Sequence, residues 1–169
     1  SNIVYGIAAP MLYILMDQNL QAFRTGQLLP NIVSQNMFDI FVSVGGAGGT
    51  LGLAILMAFK AKSTHLKELG KLSFISSLFN INEPIVFGAP VVWNPILMIP
   101  LCLNSIVIPS IMYLVMRIGL VPVPSAPMQM WYLPNIIQGY LTTGSLAGVV
   151  LVIVLFIVSW FIWLPFFKE

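Results

Sequence analysis

The run Phe79-Asn80-Ile81-Asn82-Glu83-Pro84 places two carboxamides and a carboxylate within four positions of strongly apolar sequence. A carboxylate at membrane depth costs at least about 2.5 kcal/mol, so it faces a partner or a wet cavity rather than lipid. Pro84 supplies no backbone donor and biases Glu83 away from helical geometry, which predicts a helix break with unpaired carbonyls nearby. Carboxamides both donate and accept, and an ionised carboxylate accepts on two oxygens. That set suits a ligand rich in hydroxyls. The same residues would also serve as a helix-end cap at an interface.

Other chemistry-bearing residues are sparse. Gly45-Gly46-Ala47-Gly48-Gly49-Thr50 resembles a phosphate cradle in composition only, because a nucleotide-binding loop needs Lys and then Ser or Thr after its glycines. Here Thr50-Leu51-Gly52 follows, and the next lysine is Lys60. Close helix packing or an amide nest remains. Trp131 and Tyr132 could stack on a sugar ring or stand in an interfacial aromatic belt, and the abundance of tryptophan at interfaces favours the belt. Cys102 lies in an apolar run and is read as packing. Asp17 and Asp39 have no histidine or cysteine at metal-ligand spacing. No metal or organic cofactor is expected.

These residues are carried by a chain in which 59% of positions are hydrophobic and 7% charged, with a mean hydropathy of +0.97. Soluble chains carry about a quarter charged residues. A soluble enzyme and a disordered segment are excluded on that ground, and a net charge of +2 is too small for a nucleic-acid surface. An all-α integral membrane protein remains. Lys60, Lys62, Lys67, Glu68 and Lys71 gather five of the charges with His65 in one window, read as a cytoplasmic loop over 60–71. His65 is read there as solvated.

Around this window the chain divides into apolar stretches. Ile3 to Met16, with Pro10 inside, reads as a kinked helix or the end of a truncated span, and Asn19 to Asn36 as a loop. Met37 to Phe59 is broken at the glycines, each of which costs about 1 kcal/mol relative to alanine in a helix. Non-helical backbone at that depth must pack in protein or line a cavity, which suggests a broken helix or re-entrant hairpin. Ile85 to Met116 is too long for one crossing and predicts a short re-entrant arm, a turn near Asn94-Pro95 and a full span. Val121 to Pro127 reads as a proline-rich connection, and Leu146 to Phe167 as the clearest transmembrane helix. Two interrupted segments of this kind mark binding sites in transporters. The opening Ser1-Asn2, followed at once by apolar sequence, is read as an internal start.

The stretch from Phe79 through Ile85-Val86-Phe87-Gly88-Ala89-Pro90-Val91-Val92-Trp93-Asn94-Pro95 resembles the membrane subunit IIC of the bacterial phosphotransferase system, lactose/cellobiose/diacetylchitobiose family. Gly45 to Leu53, Leu69-Gly70-Lys71, Gly119-Leu120-Val121-Pro122 and Leu164-Pro165-Phe166-Phe167-Lys168 are similar to that family as well. The resemblance implies transmembrane helices with two re-entrant helical hairpins, residues 1–169 being the C-terminal substrate-binding domain of a longer permease. It implies that Glu83 contacts the sugar near the hydroxyl to be phosphorylated, that Asn82 lies beside it, and that Trp131 packs on the disaccharide rather than in a belt. A family histidine lies upstream with no counterpart here, and His65 does not replace it.

The expected function is that of a multi-pass permease in the bacterial cell membrane. It would bind and translocate a β-linked disaccharide of the cellobiose type for phosphorylation by a phosphocysteine IIB subunit, itself served by IIA. A homodimer is expected of the full-length protein, with the lipid bilayer as its other neighbour. On the residues alone, an ion-coupled secondary transporter using Glu83 as its ion or proton site stays open.

Overall fold

The computed structural model describes residues 2–124 and 133–167, and no strand occurs among them. In chain order the helices are α1 (Asn2–Arg24), α2 (Gln35–Met37) running into a π-helical stretch (Phe38–Val42), α3 (Leu51–Lys60), α4 (Thr64–Leu78), α5 (Glu83–Gly88), α6 (Pro95–Arg117), α7 (Asn135–Thr143) and α8 (Leu146–Trp163). The fold is an integral-membrane helical one. By length and composition, α6 and α8 can each cross a bilayer.

Both spans begin with a polar cap. Asn94 accepts the Ile96 N–H at 3.0 Å ahead of Pro95, and Ser145 accepts the Ala147 N–H at 3.1 Å. Each cap satisfies one of the orphan donors of a first turn. The helices then stay apolar nearly all round: Ile99, Leu103 and Ile106 of α6 and Val150, Val154 and Phe161 of α8 are exposed. A helix without a polar face belongs in lipid or inside a larger assembly.

Two buried clusters hold the bundle. In the first, Ile40, Phe41 and Val44 meet Ile108 and Met112 of α6 and Leu155 of α8. In the second, Leu53, Leu56 and Met57 of α3 pack with Ile85 and Ala89 of the α5 arm and Trp163 at the end of α8. The glycine stretch joins the two clusters, and α8 runs past both.

Several sequence expectations need revision. Asn19 to Arg24 is helix, not loop: Asn19 donates to Asn31 O at 2.6 Å and accepts the Asn31 N–H at 2.9 Å, so its polarity ties the following loop back onto α1. The basic window 60–71 is not one loop. Only Ala61 to Ser63 connects α3 to α4, and Thr64 to Lys71 forms the first two turns of α4, because Leu, Lys and Glu are strong helix formers. Cys102 is exposed on α6 rather than packed, since the apolar sequence around it faces outward as well as inward. The two breaks, the turn at Asn94-Pro95 and the α8 span stand where the sequence puts them, with α8 ending at Trp163 ahead of Pro165.

Candidate functional site

The second break is built from its first asparagine. Asn80 adopts left-handed backbone (φ 63°), which Asn tolerates better than most residues. Its N–H reaches Ser77 O at 3.1 Å while the Ile81 N–H reaches Ser76 O at 3.0 Å, the paired bonds that close a helix C-terminus. The chain thereby reverses at the end of α4. Asn82 O then accepts the Ile85 and Val86 N–H groups, each at 3.0 Å, and α5 begins. Glu83 is the first residue of that helix and Pro84 lies in its first turn, where a missing N–H costs nothing. The proline therefore starts a helix, and the residue held out of helical geometry is Asn82 (φ −114°, ψ 4°), not Glu83.

Asn82 does not cap its own helix. Its Nδ2 donates across the fold to Ala47 O at 2.9 Å. The approach is close enough that a Cβ on Gly46 would lie 2.4 Å from Asn82 Cγ, so only glycine fits there. Two further carboxamides converge on the same loop: the Gly45 N–H lies 3.3 Å from Asn80 Oδ1 and 3.4 Å from Asn135 Oδ1, and Asn135 Nδ2 donates to Ile40 O at 2.7 Å. From α8, Ser159 donates to Gly49 O at 2.8 Å, and Trp163 Nε1 lies 3.1 Å from Gly49 O. The Gly46 and Gly49 N–H groups bond within the loop, to Ser43 O and Gly46 O. The glycines serve close packing.

Where the two breaks meet, a cavity of about 360 Å³ opens, lined among others by Ala47, Gly48, Asn82, Glu83, Phe87 and Ser105. That volume lies within the range of small-molecule sites. Of its two motif residues Asn82 is buried and Glu83 is exposed. Val86, Val92 and Leu101 complete an apolar wall. The cavity thus offers a carboxylate, an amide and a hydroxyl beside apolar surface, a set complementary to an amphipathic polyol.

Of the residues singled out in the sequence, Asn82 and Glu83 are brought together here. Trp131 lies outside the described residues. His65 is exposed on the first turn of α4 and is not among the cavity-lining residues. Sequence reasoning missed Phe87, Ser105 and the bracing role of Asn135. Phe87 had a signal, being four residues beyond Glu83; Ser105 and Asn135 had none, because they meet the site only through the tertiary fold.

The chain matches the family described as Phosphotransferase system, EIIC over residues 1–105. It is 43% identical to the lichenan permease IIC component of Bacillus subtilis (strain 168), across 99% of this chain and 37% of that protein. It is 44% identical to the cellobiose-specific EIIC component of Geobacillus stearothermophilus, across 98% of this chain and 38% of that protein. The crystal structure of the transporter ChbC, the IIC component of the N,N'-diacetylchitobiose-specific phosphotransferase system, superposes with a TM-score of 0.92 at 42% identity, over 97% of this chain and 38% of that one. The chain therefore spans somewhat more than a third of the length of the proteins it matches.

Proposed function

The chain belongs to the phosphotransferase system EIIC family, and from that premise we propose that it forms the sugar-binding part of a permease for β-linked disaccharides of the cellobiose type. The observation that carries this reading is the cavity in which Glu83 and Asn82 stand together against the glycine loop. Sugar hydroxyls need acceptors and amides at the polar edge of the ring, and the cavity supplies both. Similarity to proteins named for cellobiose, lichenan and diacetylchitobiose supports the substrate class.

In this reading α4 and α5 form a re-entrant hairpin with Asn82 and Glu83 at its tip. In support, α5 is only six residues long, and a Cβ on Gly88 would lie 2.7 Å from Leu69 Cδ1, so the arm returns along α4. The broken segment before α3 supplies the second re-entrant element. The permease is a multi-pass protein of the bacterial cell membrane, homodimeric at full length, with the basic start of α4 on the cytoplasmic side. Residues 1–169 act as its C-terminal substrate-binding domain, with Trp131 packing on the disaccharide.

The chemistry is completed by a IIB subunit carrying phosphocysteine, which IIA recharges. Glu83 accepts a hydrogen bond from the reacting hydroxyl and holds its oxygen toward the phosphorus. As the O–P bond forms and the S–P bond breaks, Glu83 takes the hydroxyl proton. Uptake of labelled cellobiose into vesicles containing a full-length permease with this segment tests the proposal. Accumulation of phosphorylated sugar only when the phosphotransfer proteins and phosphoenolpyruvate are enclosed is the expected result. Uptake of free sugar driven by an ion gradient alone would overturn the proposal in favour of an ion-coupled secondary transporter.

A further inference from the structure

Helix α5 has two opposed faces. Ile85 and Ala89, four residues apart, are buried against α3 and Trp163. Glu83 and Phe87, also four apart, are offset from that pair by two residues, or about 200° at 3.6 residues per turn. They lie one above the other on the opposite face, about 6 Å apart along the axis. Phe87 is 78% exposed, and both residues line the 360 Å³ cavity.

The charge on this face decides what Phe87 looks at. An exposed phenylalanine in a membrane protein ordinarily faces lipid. A carboxylate one turn away on the same face would carry a steep insertion cost there, so this face is turned toward water and ligand. Phe87 is then an apolar ring presented to an aqueous cavity beside a hydroxyl-binding carboxylate. A pyranose has the complementary form, with hydroxyls around its edge and C–H groups on its faces.

We infer that Phe87 is a substrate-binding residue, the platform on which the apolar face of the sugar ring rests while Glu83 holds a hydroxyl at its edge. This rests on the sugar-binding reading above and extends it to a residue that the polar motif does not include. The 6 Å offset is about the width of one sugar ring, so platform and carboxylate engage the same ring. Because packing on a ring face is indifferent to individual hydroxyls, Phe87 contributes affinity shared by related disaccharides, and discrimination is left to polar contacts.

Equilibrium binding of labelled cellobiose and labelled diacetylchitobiose to a purified full-length permease carrying this segment tests the inference, with Glu83→Gln measured alongside. Phe87→Leu is expected to weaken whichever sugar binds by about two- to tenfold, the scale of an aromatic contact beyond its buried area, with Tm unchanged. Phe87→Tyr should stay within about twofold. Phe87→Trp adds a signal that a merely structural residue would not give: its emission should shift on adding sugar, and the shift should vanish in the Glu83→Gln background. Unchanged binding in Phe87→Leu with binding lost in Glu83→Gln overturns the platform and leaves the sugar site standing. Unchanged binding in both removes Glu83 and Phe87 alike from the sugar site and refutes the assignment of this cavity. If Phe87→Leu does not fold, the tryptophan variant decides: quenching by brominated lipid without any response to sugar places residue 87 in the bilayer and refutes the inference.

Discussion

The molecule breaks its helices twice, and the two breaks are made by opposite means. In the stretch from Ser43 to Thr50, four glycines take left-handed backbone, and all the residues but Ser43 and Ala47 are buried. Its polar groups bond to partners 35 to 115 residues away, in the α4–α5 turn, α7 and α8. The turn from Phe79 to Glu83 has one left-handed residue, Asn80, and keeps Glu83 and the following Phe87 exposed. The first break is locked so that the second can be open: Asn80 and Asn82 point back into the glycine loop, and Glu83 faces the cavity. Non-helical backbone at membrane depth has to be satisfied by protein. Here one break satisfies the other.

The contrast predicts that substitution in the glycine loop costs stability, while substitution at Glu83 costs binding. Gly45→Ala should have the largest effect. Its Cβ would sit 2.6 Å from Leu51 N, a backbone atom that cannot step aside, at a φ of 77°. Left-handed backbone costs an alanine about 1–2 kcal/mol, and forced overlap adds about 1–3 kcal/mol. Thermal unfolding in detergent should show a fall in Tm of the order of 10 °C. A variant that unfolds like the parent would show that the loop is not locked.

Glu83→Gln should behave in the opposite way. An exposed side chain whose carboxylate has no hydrogen-bond partner among the described residues can be neutralised at within about 0.5 kcal/mol of stability. A hydrogen bond to a charged acceptor contributes about 1.5–3 kcal/mol, so disaccharide binding should weaken about 10- to 100-fold while Tm holds. Loss of folded protein in this variant would merge the two regions into one structural unit and end the comparison.

How much of this could be read beforehand follows from the same difference. Gly, Asn and Pro punctuation is local, so both breaks and the turn at Asn94-Pro95 stand in the sequence. Asn82 and Glu83 were legible as a site because polar groups in apolar sequence need a reason. The direction of Asn82 was not, since its partner Ala47 is 35 residues away. Pro84 was misread because the same missing N–H that ends a helix from within is harmless in its first turn. The basic window was taken for a loop because charge was weighed above the helix propensity of the residues that carry it.

Asn82 stands on the border and should show both effects at reduced size. Asn82→Ala removes the bond to Ala47 O, a loss of about 1 kcal/mol or a few degrees of Tm, and removes an amide from the cavity lining. Binding should weaken several-fold, less than in Glu83→Gln. Thermal unfolding and equilibrium binding of one preparation measure both. A change in only one would assign Asn82 wholly to a single break.

Gly144→Ala should leave binding untouched, and it isolates the cause of the largest effect on stability. Gly144 is also left-handed, at φ 62°, where it ends α7 with its N–H on Tyr140 O at 2.9 Å. A Cβ there would meet nothing within 4 Å. The substitution therefore introduces backbone strain without overlap, about 1–2 kcal/mol, and Tm should fall by only about 2–8 °C. If Gly144→Ala cost as much as Gly45→Ala, left-handed backbone alone would explain both, and the crowding of the glycine loop would contribute nothing. If it costs clearly less, the difference measures how tightly the first break is held by Leu51, and hence how firmly it can support the open turn that carries Glu83.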